Sequence, residues 1–440
     1  MLHETFHYTS WEDIDRVVAS FGGFLPHSDD LSVLFTPLAI GSVTSPNRIA
    51  LQPMEGTDGT ADGRPGPLTR RRYLRFAHGG AGLIWFEAVA SAPEVRASAH
   101  QLMITDENVD DFARLLDEMR ETCLKENGYV PVILMQATNS GRYSKPTGVP
   151  APLIAYNNPA LEDTPIDSSR ILSDDQLKAY EERFSDMARL AQKAGFDGMD
   201  IKCCHRYLAC ELLSAYTRPG LYGGSFENRT RFLVNAYRAA SAAVTKPGFF
   251  LTSRLNAYDG FPYPWGFGVT AESGLTPALD EAVKLAGILK TEFRIPLLNI
   301  TIGNPYKNPH VNRPYDRGNY VPDEHPLEGE SRMMHCVSTI QKAHPDLPIL
   351  GSAYTYLRQF SPQLAAGMLK GGHAQMAGFG RMAFAYPDFA EDLLSGRGLD
   401  ARKCCVACGK CSQLMRLGGT AGCAVRDPYY TRQYKELTAK

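Results

Sequence analysis

Near its C-terminal end the chain carries four cysteines spaced C-x2-C-x2-C-x11-C: Cys405, Cys408, Cys411 and Cys423. Three closely spaced thiols, with a fourth across a Gly-containing loop, can wrap one polynuclear centre, and iron–sulfur clusters are ligated by runs of this kind. A structural zinc site is the alternative, although zinc more often takes two paired C-x2-C hooks than three staggered cysteines plus one. Cys404, one position ahead of the pattern, is left as a spectator. An iron–sulfur cluster moves single electrons, so the chain upstream must contain something that exchanges them.

The elements that would position such chemistry follow one rhythm. Short apolar runs rich in β-formers recur at 48–54, 82–88, 129–136, 197–202, 248–254, 296–302, 347–352 and 374–378. Segments of helical periodicity alternate with them at 67–77, 107–125, 174–194, 228–243, 274–290, 329–343, 359–370 and 387–395. In 174–194, Ser173 suits an N-cap, and Leu177, Tyr180, Phe184, Met187, Leu190 and Ala191 recur at i, i+3, i+4 spacing. Strand-then-helix units in series predict an α/β fold, a (β/α)8 TIM barrel whose chemistry sits on the loops after the strands. A doubly wound sheet is the alternative, but neither a G-x-G-x-x-G nor a P-loop motif occurs. The barrel is expected over 34–400, after an N-terminal extension at 1–33 with one short helix from Trp11 to Phe21. The cysteine-bearing segment occupies 401–440.

Composition bounds the partners. With 46 basic and 48 acidic residues the chain has no electrostatic case for nucleic acid or a membrane surface. No apolar run approaches the length of a membrane span, and the N-terminus lacks the grammar of a signal peptide. Eight of the ten cysteines crowd into the tail and one mid-chain segment, which fits a reducing compartment rather than a disulfide framework, so a soluble, cytoplasmic protein, open to homo-oligomer formation, is expected.

The strand ends carry unusual polar residues, among them Gln52-Pro53-Met54-Glu55, Gln136 to Arg142, Lys202-Cys203-Cys204-His205-Arg206-Tyr207, Ser253-Arg254, Ser352-Ala353 and Gly380-Arg381. P-N-R then P-M in the first strand, G-G-A-G-L-I before the second, Q-x4-G-R after the third and H-x-Y-L after the fourth occur in that order. Y-G-G-S-F-E-N-R-T-R-F at Tyr222–Phe232 and a G-x-G-R turn after the eighth strand complete the set. From about Phe35 to Cys423 the chain thereby resembles the old yellow enzyme family of FMN-dependent barrels. It is most similar to the branch with 2,4-dienoyl-CoA reductase, 2-enoate reductase and trimethylamine dehydrogenase, which appends a 4Fe-4S cluster.

The resemblance implies roles that make physical sense. Pro53, Met54 and Ala88 would line the isoalloxazine, and Gln136 would pair with its pyrimidine edge through amide donor and acceptor. Arg254 would stand near flavin N1 and O2, where negative charge gathers on reduction. Ser352, Ala353, Tyr354, Gly380 and Arg381 resemble the phosphate grip. The substrate positions are Lys202, His205 and Tyr207: two donors for a carbonyl oxygen and a phenol that supplies the proton. Lys202 departs from the usual His, and Glu55 from the usual Thr or Cys. An interior does not hold an unpaired charge cheaply, so either a Lys202–Glu55 ion pair or a protonated Glu55 is expected. Cys203 and Cys204 read as buried structural thiols.

The implied activity is reduction of a C=C bond conjugated to a carbonyl, with FMN and a 4Fe-4S cluster as cofactors. Oxidation of an amine, as in trimethylamine dehydrogenase, is the second reading, and a non-catalytic electron-transfer subunit the third. Larger relatives continue with FAD and NAD(P) domains, whereas this chain stops 17 residues after Cys423. Electrons are therefore expected either from NAD(P)H directly or, preferentially, through the cluster from a ferredoxin, flavoprotein or separate reductase subunit.

Overall fold

A computed structural model describes residues 2–439. Its first helix, α1 (Trp11–Ser20), is capped by the Ser10 side chain, which accepts from the Asp13 amide. Trp11, Ile14 and Val18 fall on one face and are buried, so the N-terminal extension is packed into the main core. An antiparallel hairpin of β1 (Leu38–Ile40) and β2 (Val43–Ser45) follows. Its Leu38 and Ile40 pack with Ala50, Leu83, Leu134 and Leu350, side chains from early positions of the barrel strands, closing that end of the interior.

The barrel strands are β3 (Ile49–Leu51), β4 (Leu83–Ala90), β5 (Val132–Thr138), β6 (Gly198–Ile201), β7 (Phe250–Thr252), β8 (Arg254–Asn256), β9 (Leu298–Thr301), β10 (Ile349–Gly351) and β11 (Met376–Phe379). All neighbours in this sheet are parallel. β7 pairs with β6 and β8 with β9, on either side of Ser253, whose hydroxyl donates to the Ile201 carbonyl. The two are halves of one stave, and counting them together gives eight staves in a closed (β/α)8 ring. β3, β4, β5 and β6 are buried at every position, as parallel strands covered on both faces must be.

The outer layer contains α2 (Pro67–His78), α3 (Val109–Asn127), α4 (Asp174–Ala194), α5 (Leu208–Leu213), α6 (Phe226–Ala242), α7 (Asp280–Phe293), α8 (Pro309–Asn312), α9 (Pro326–Ala343), α10 (Ser361–Lys370), α11 (Arg381–Ala385) and α12 (Phe389–Leu394). α4 starts at a reciprocal capping box between Ser173 and Gln176 and stops at Gly195, whose φ of +93° suits glycine. α7 begins six residues later than the periodicity suggests, because Pro277 disfavours helical geometry at Thr276. The acids Asp280 and Glu281 then occupy its first turn.

The C-terminal segment forms α13 (Lys410–Arg416) and α14 (Pro428–Thr438). Asp427 caps α14 through the Tyr429 amide and pairs with Arg71, at 2.8 Å, and Arg75 of α2. The Ala421 amide donates to the Gly56 carbonyl at 2.8 Å, and the Thr57 hydroxyl to that of Gly419 at 3.1 Å. The cysteine segment is thereby fastened to the loop that follows β3. Among the described residues no helix is long and apolar enough to cross a membrane.

Candidate active site

The C-terminal ends of the strands open into a cavity of about 230 Å³. Of the residues expected at a flavin site, Pro53, Met54, Glu55, His205, Arg254, Ser352, Ala353, Gly380 and Arg381 line it. Gly378 lines it too, and a Cβ there would lie 2.1 Å from Gln52 Nε2. Ala353 holds a φ of +77° in the turn after β10, strain that a non-glycine residue keeps only where the surroundings impose it.

Five expected residues stand outside the lining. Ala88 and Gln136 are cross-strand neighbours buried in β4 and β5. Gln136 Nε2 donates to Asp200 at 2.6 Å, leaving one amide hydrogen and its carbonyl free. The Tyr354 ring packs on Phe379 with centroids 5.6 Å apart, so any ligand contact falls to its backbone. Lys202 and Tyr207 adjoin the lining through Glu55, on whose carboxyl both act, and the ammonium stands 3.4 Å from the Tyr207 ring centroid.

That contact changes the account of Glu55. No Lys202–Glu55 ion pair forms among the described residues; the lysine takes the aromatic face instead. Burial pushes the Glu55 carboxyl up to about 7, the Lys202 charge opposes this and nearby Glu87 adds to it. Burial thus favours the protonated form of Glu55, which has no ion-pair partner among the described residues. Burial also lowers Lys202, with Cys204 and Glu55 holding it partly up.

The turn after β6 is strained and braced. His205 and Arg206 both hold φ of +62°. Arg206 is buried and pairs with Asp259 at 2.8 Å, which fixes the turn from beneath. Asn312 Nδ2 donates to the Ile302 carbonyl at 2.8 Å, an acceptor that settles the orientation of the amide. The same nitrogen stands 3.2 Å from His205 Nε2. Nε2 is therefore the acceptor and the ring proton belongs on Nδ1. Burial, then the Arg254 and Lys202 charges, hold the imidazole well below its ordinary value, so it is neutral. The Tyr207 hydroxyl meets that of Tyr306 at 2.9 Å. Tyr306 is 48% exposed and stacks on Tyr143 at 3.8 Å.

Behind Glu55 a buried network holds the loop. Arg72 pairs with Asp58 at 2.8 Å and Glu87 at 2.5 Å, and Glu87 accepts from the Gly56 amide at 2.7 Å. Sequence reading missed Arg206, Asp259, Tyr306, Asn312 and Arg313. The last three lie on the long segment after β9, where no periodicity marks them; Asn312 and Arg313 line the cavity.

The cavity suits FMN. Arg254, Arg313 and Arg381 line it, and none makes an ion pair among the described residues. Arg254 Nε and Arg313 Nη1 are buried without a hydrogen-bond partner. Cations without an ion-pair partner, Arg254 among them buried, ask for an anionic ligand, which phosphate and the N1–O2 edge of a flavin provide.

All four cysteines of the pattern line a second, smaller cavity. It shares Arg381, Phe384, Cys405 and Cys411 with the first. Among the described residues no three His, Cys, Asp or Glu side chains converge to hold a metal ion. The thiols instead stand around a space, and the Arg426 amide donates to Cys423 Sγ at 3.3 Å. Burial pushes Cys405 up to about 12, with Arg381 opposing it. Cys404 is buried elsewhere, its thiol on the Asp400 carbonyl.

A profile of the NADH:flavin oxidoreductase / NADH oxidase family matches residues 33–271. The chain is 34% identical over 227 residues to an NADPH dehydrogenase of Bacillus pumilus, covering 50% of this chain and 63% of that one. It is 27% identical over 386 residues to an NADH oxidase of Thermoanaerobacter brockii, covering 84% of this chain and 52% of that one. These matches span less than two thirds of either relative's length. A solved 2-naphthoyl-CoA reductase shares the fold, with a TM-score of 0.74 at 19% identity over 92% of this chain and 58% of that one. With more than half of its length matched by the family profile, the chain belongs to the NADH:flavin oxidoreductase / NADH oxidase family.

Proposed function

We propose that this chain is an FMN- and 4Fe-4S-dependent oxidoreductase that reduces a C=C bond conjugated to a carbonyl. The observation that carries the reading is the shared wall: a cavity with three unpaired arginines abuts a cavity ringed by four thiols. Residues 34–400 would form the flavin barrel, 401–440 the cluster segment and 1–33 an extension packed on the barrel. Cys405, Cys408, Cys411 and Cys423 would hold the cluster as thiolates, their protons displaced by ligation.

Arg254 would face the N1–O2 edge of FMN, with Pro53 and Met54 against its ring and Arg381 near the phosphate. FMN, when bound, supplies hydride to the β-carbon of the alkene. Neutral His205 donates to the substrate carbonyl, and Lys202, held behind Tyr207, adds positive potential. Tyr207 gives its proton to the α-carbon and regains one through the Tyr306 hydroxyl, 2.9 Å away. Product forms by addition of one hydride and one proton. The Lys202 and Arg254 charges make a poor site for a cationic amine. Electrons arrive from NAD(P)H or through the cluster, and the cluster route is favoured because the thiol cavity touches the flavin cavity.

Anaerobic purification with iron, sulfide and flavin quantitation tests the cofactors, and a screen of enones and enoates against amines tests the reaction. Expected are one FMN and about four iron per chain, and alkene reduction without amine oxidation. Cys408→Ser should lose most of the iron and its broad visible absorption while FMN stays bound; iron retained in full would remove Cys408 from the ligand set.

Glu55 makes a pH prediction. Lys202, Glu87, Tyr207 and Arg72 are the charged and titratable groups acting on it. Below about 7 it is neutral; above, it places a negative charge beside the electron-rich centre. The kcat/KM for alkene reduction should therefore fall as pH rises through about 7, and Glu55→Gln should abolish that inflection. An unchanged profile in Glu55→Gln would assign it to another group.

A further inference from the structure

Three depressions of this chain lie in series. The flavin-site cavity shares walls with the thiol cavity, and the thiol cavity shares Val425 and Arg426 with an open surface groove. The rest of the groove is Pro428, Thr431, Arg432 and Lys435, all on one side of α14.

The groove is basic on a chain that is otherwise balanced. Residues 401–440 hold eight Lys or Arg against two Asp or Glu, whereas the whole chain has 46 against 48. One of those two acids, Asp427, is buried and already engaged by Arg71 and Arg75. Arg416, Arg426, Arg432 and Lys435 are exposed, and none makes an ion pair among the described residues. Apolar surface is mixed with them, Val425 being 38% and Tyr429 43% exposed. A run of surface cations is ordinarily a solvated face; this one meets the thiol cavity at Arg426.

We propose that this groove is the docking surface of a small acidic one-electron carrier protein. The inference rests on the cluster reading above. Clustered, unpaired cations steer an acidic partner and set its orientation, and the mixed apolar surface gives the encounter a contact once formed. Docking there puts the carrier's redox centre on the solvent side of the thiol cavity, with the flavin site on the other side. The electron count closes with two carriers: two reduced carriers, each giving one electron, and two protons convert one C=C to CH–CH, and both carriers leave oxidised.

The test uses the full, anaerobically purified, iron-containing chain. Isothermal titration calorimetry measures binding of an acidic bacterial-type ferredoxin, with basic cytochrome c as the opposite-charge control. The ferredoxin should bind, its Kd rising about tenfold between about 0.02 M and about 0.2 M salt, and cytochrome c should not. Arg432→Glu combined with Lys435→Glu should raise the ferredoxin Kd at least about tenfold. Iron content and visible spectrum should stay unchanged, since neither side chain lines the thiol cavity. Ferredoxin binding that ignores the charge reversal, or none at low salt, overturns the docking surface and leaves the cluster standing. A chain without iron overturns both. Self-association abolished by the charge reversal assigns the groove to a second copy and overturns the proposal.

Discussion

Tyr207→Phe is expected to lower kcat for alkene reduction by roughly 10²–10³-fold while substrate Kd changes little, the signature of a lost proton donor rather than a lost binding contact. Burial, with Tyr306 and Glu55 adding to it, holds the phenol well above its ordinary value, so it is protonated at any working pH and is always available as a donor. Its ring is clamped by the Lys202 ammonium at 3.4 Å and its hydroxyl by Tyr306 at 2.9 Å. Tyr207 is itself 2% exposed, so in the proposed reaction its proton is replaced through its hydrogen-bond neighbour Tyr306. Tyr306→Phe should therefore cost about tenfold in kcat and enlarge the solvent deuterium isotope effect, because reprotonation becomes slow. Stopped-flow single turnovers separate the two variants: Tyr207→Phe slows product formation, whereas Tyr306→Phe slows only later turnovers. A Tyr207→Phe enzyme with unchanged kcat would move the proton donor elsewhere, with Glu55 the next candidate.

What was legible in the sequence depended on the range of the forces involved. The apolar runs fell on the barrel strands because a parallel sheet covered on both faces needs continuous apolar segments, and that need is local. The split of the fifth stave at Ser253 was not legible, since it depends on a hydroxyl reaching the Ile201 carbonyl 52 residues away. At the site, motif residues on β3, β8, β10 and β11 reached the cavity because strand ends point there by construction. The Lys202–Glu55 pairing failed for a tertiary reason: two residues of one turn, Lys202 and Tyr207, satisfy each other first. Arg206 was visible as a residue but not as a brace, because its partner Asp259 lies 53 positions on. Asn312 and Arg313 come from a segment without periodicity, and only the fold brings them to the cavity.

Arg254→Met is expected to raise the Kd for FMN by about 10–100-fold, the size of a charge-assisted hydrogen bond, and to lower the potential of whatever flavin remains. A guanidinium that merely tied two strands together would give the opposite stability result from one placed for a ligand, and this makes the variant decisive. Arg254 is 8% exposed, its Nε has no partner and it makes no ion pair among the described residues. Its guanidinium donates to Thr301 Oγ1 at 3.5 Å, long for a hydrogen bond. Burial lowers its pKa, with Cys204 and Asp200 opposing, which is the mark of a cation that the fold holds at a cost. Its position is nonetheless fixed by the backbone: Asp200 accepts from the Arg254 amide at 2.8 Å and from Gln136 and Trp85 as well. The fold therefore pins the residue while leaving the guanidinium unsatisfied. Replacing it with methionine of similar reach should leave the flavin-free protein as stable as the parent or more so, with its thermal midpoint held or raised, while FMN binding collapses. Arg254→Lys should restore part of the potential and little of the affinity, since it returns the charge without the planar fork. A flavin-free Arg254→Met protein that unfolds earlier than its parent would show that the arginine serves the barrel rather than the cofactor.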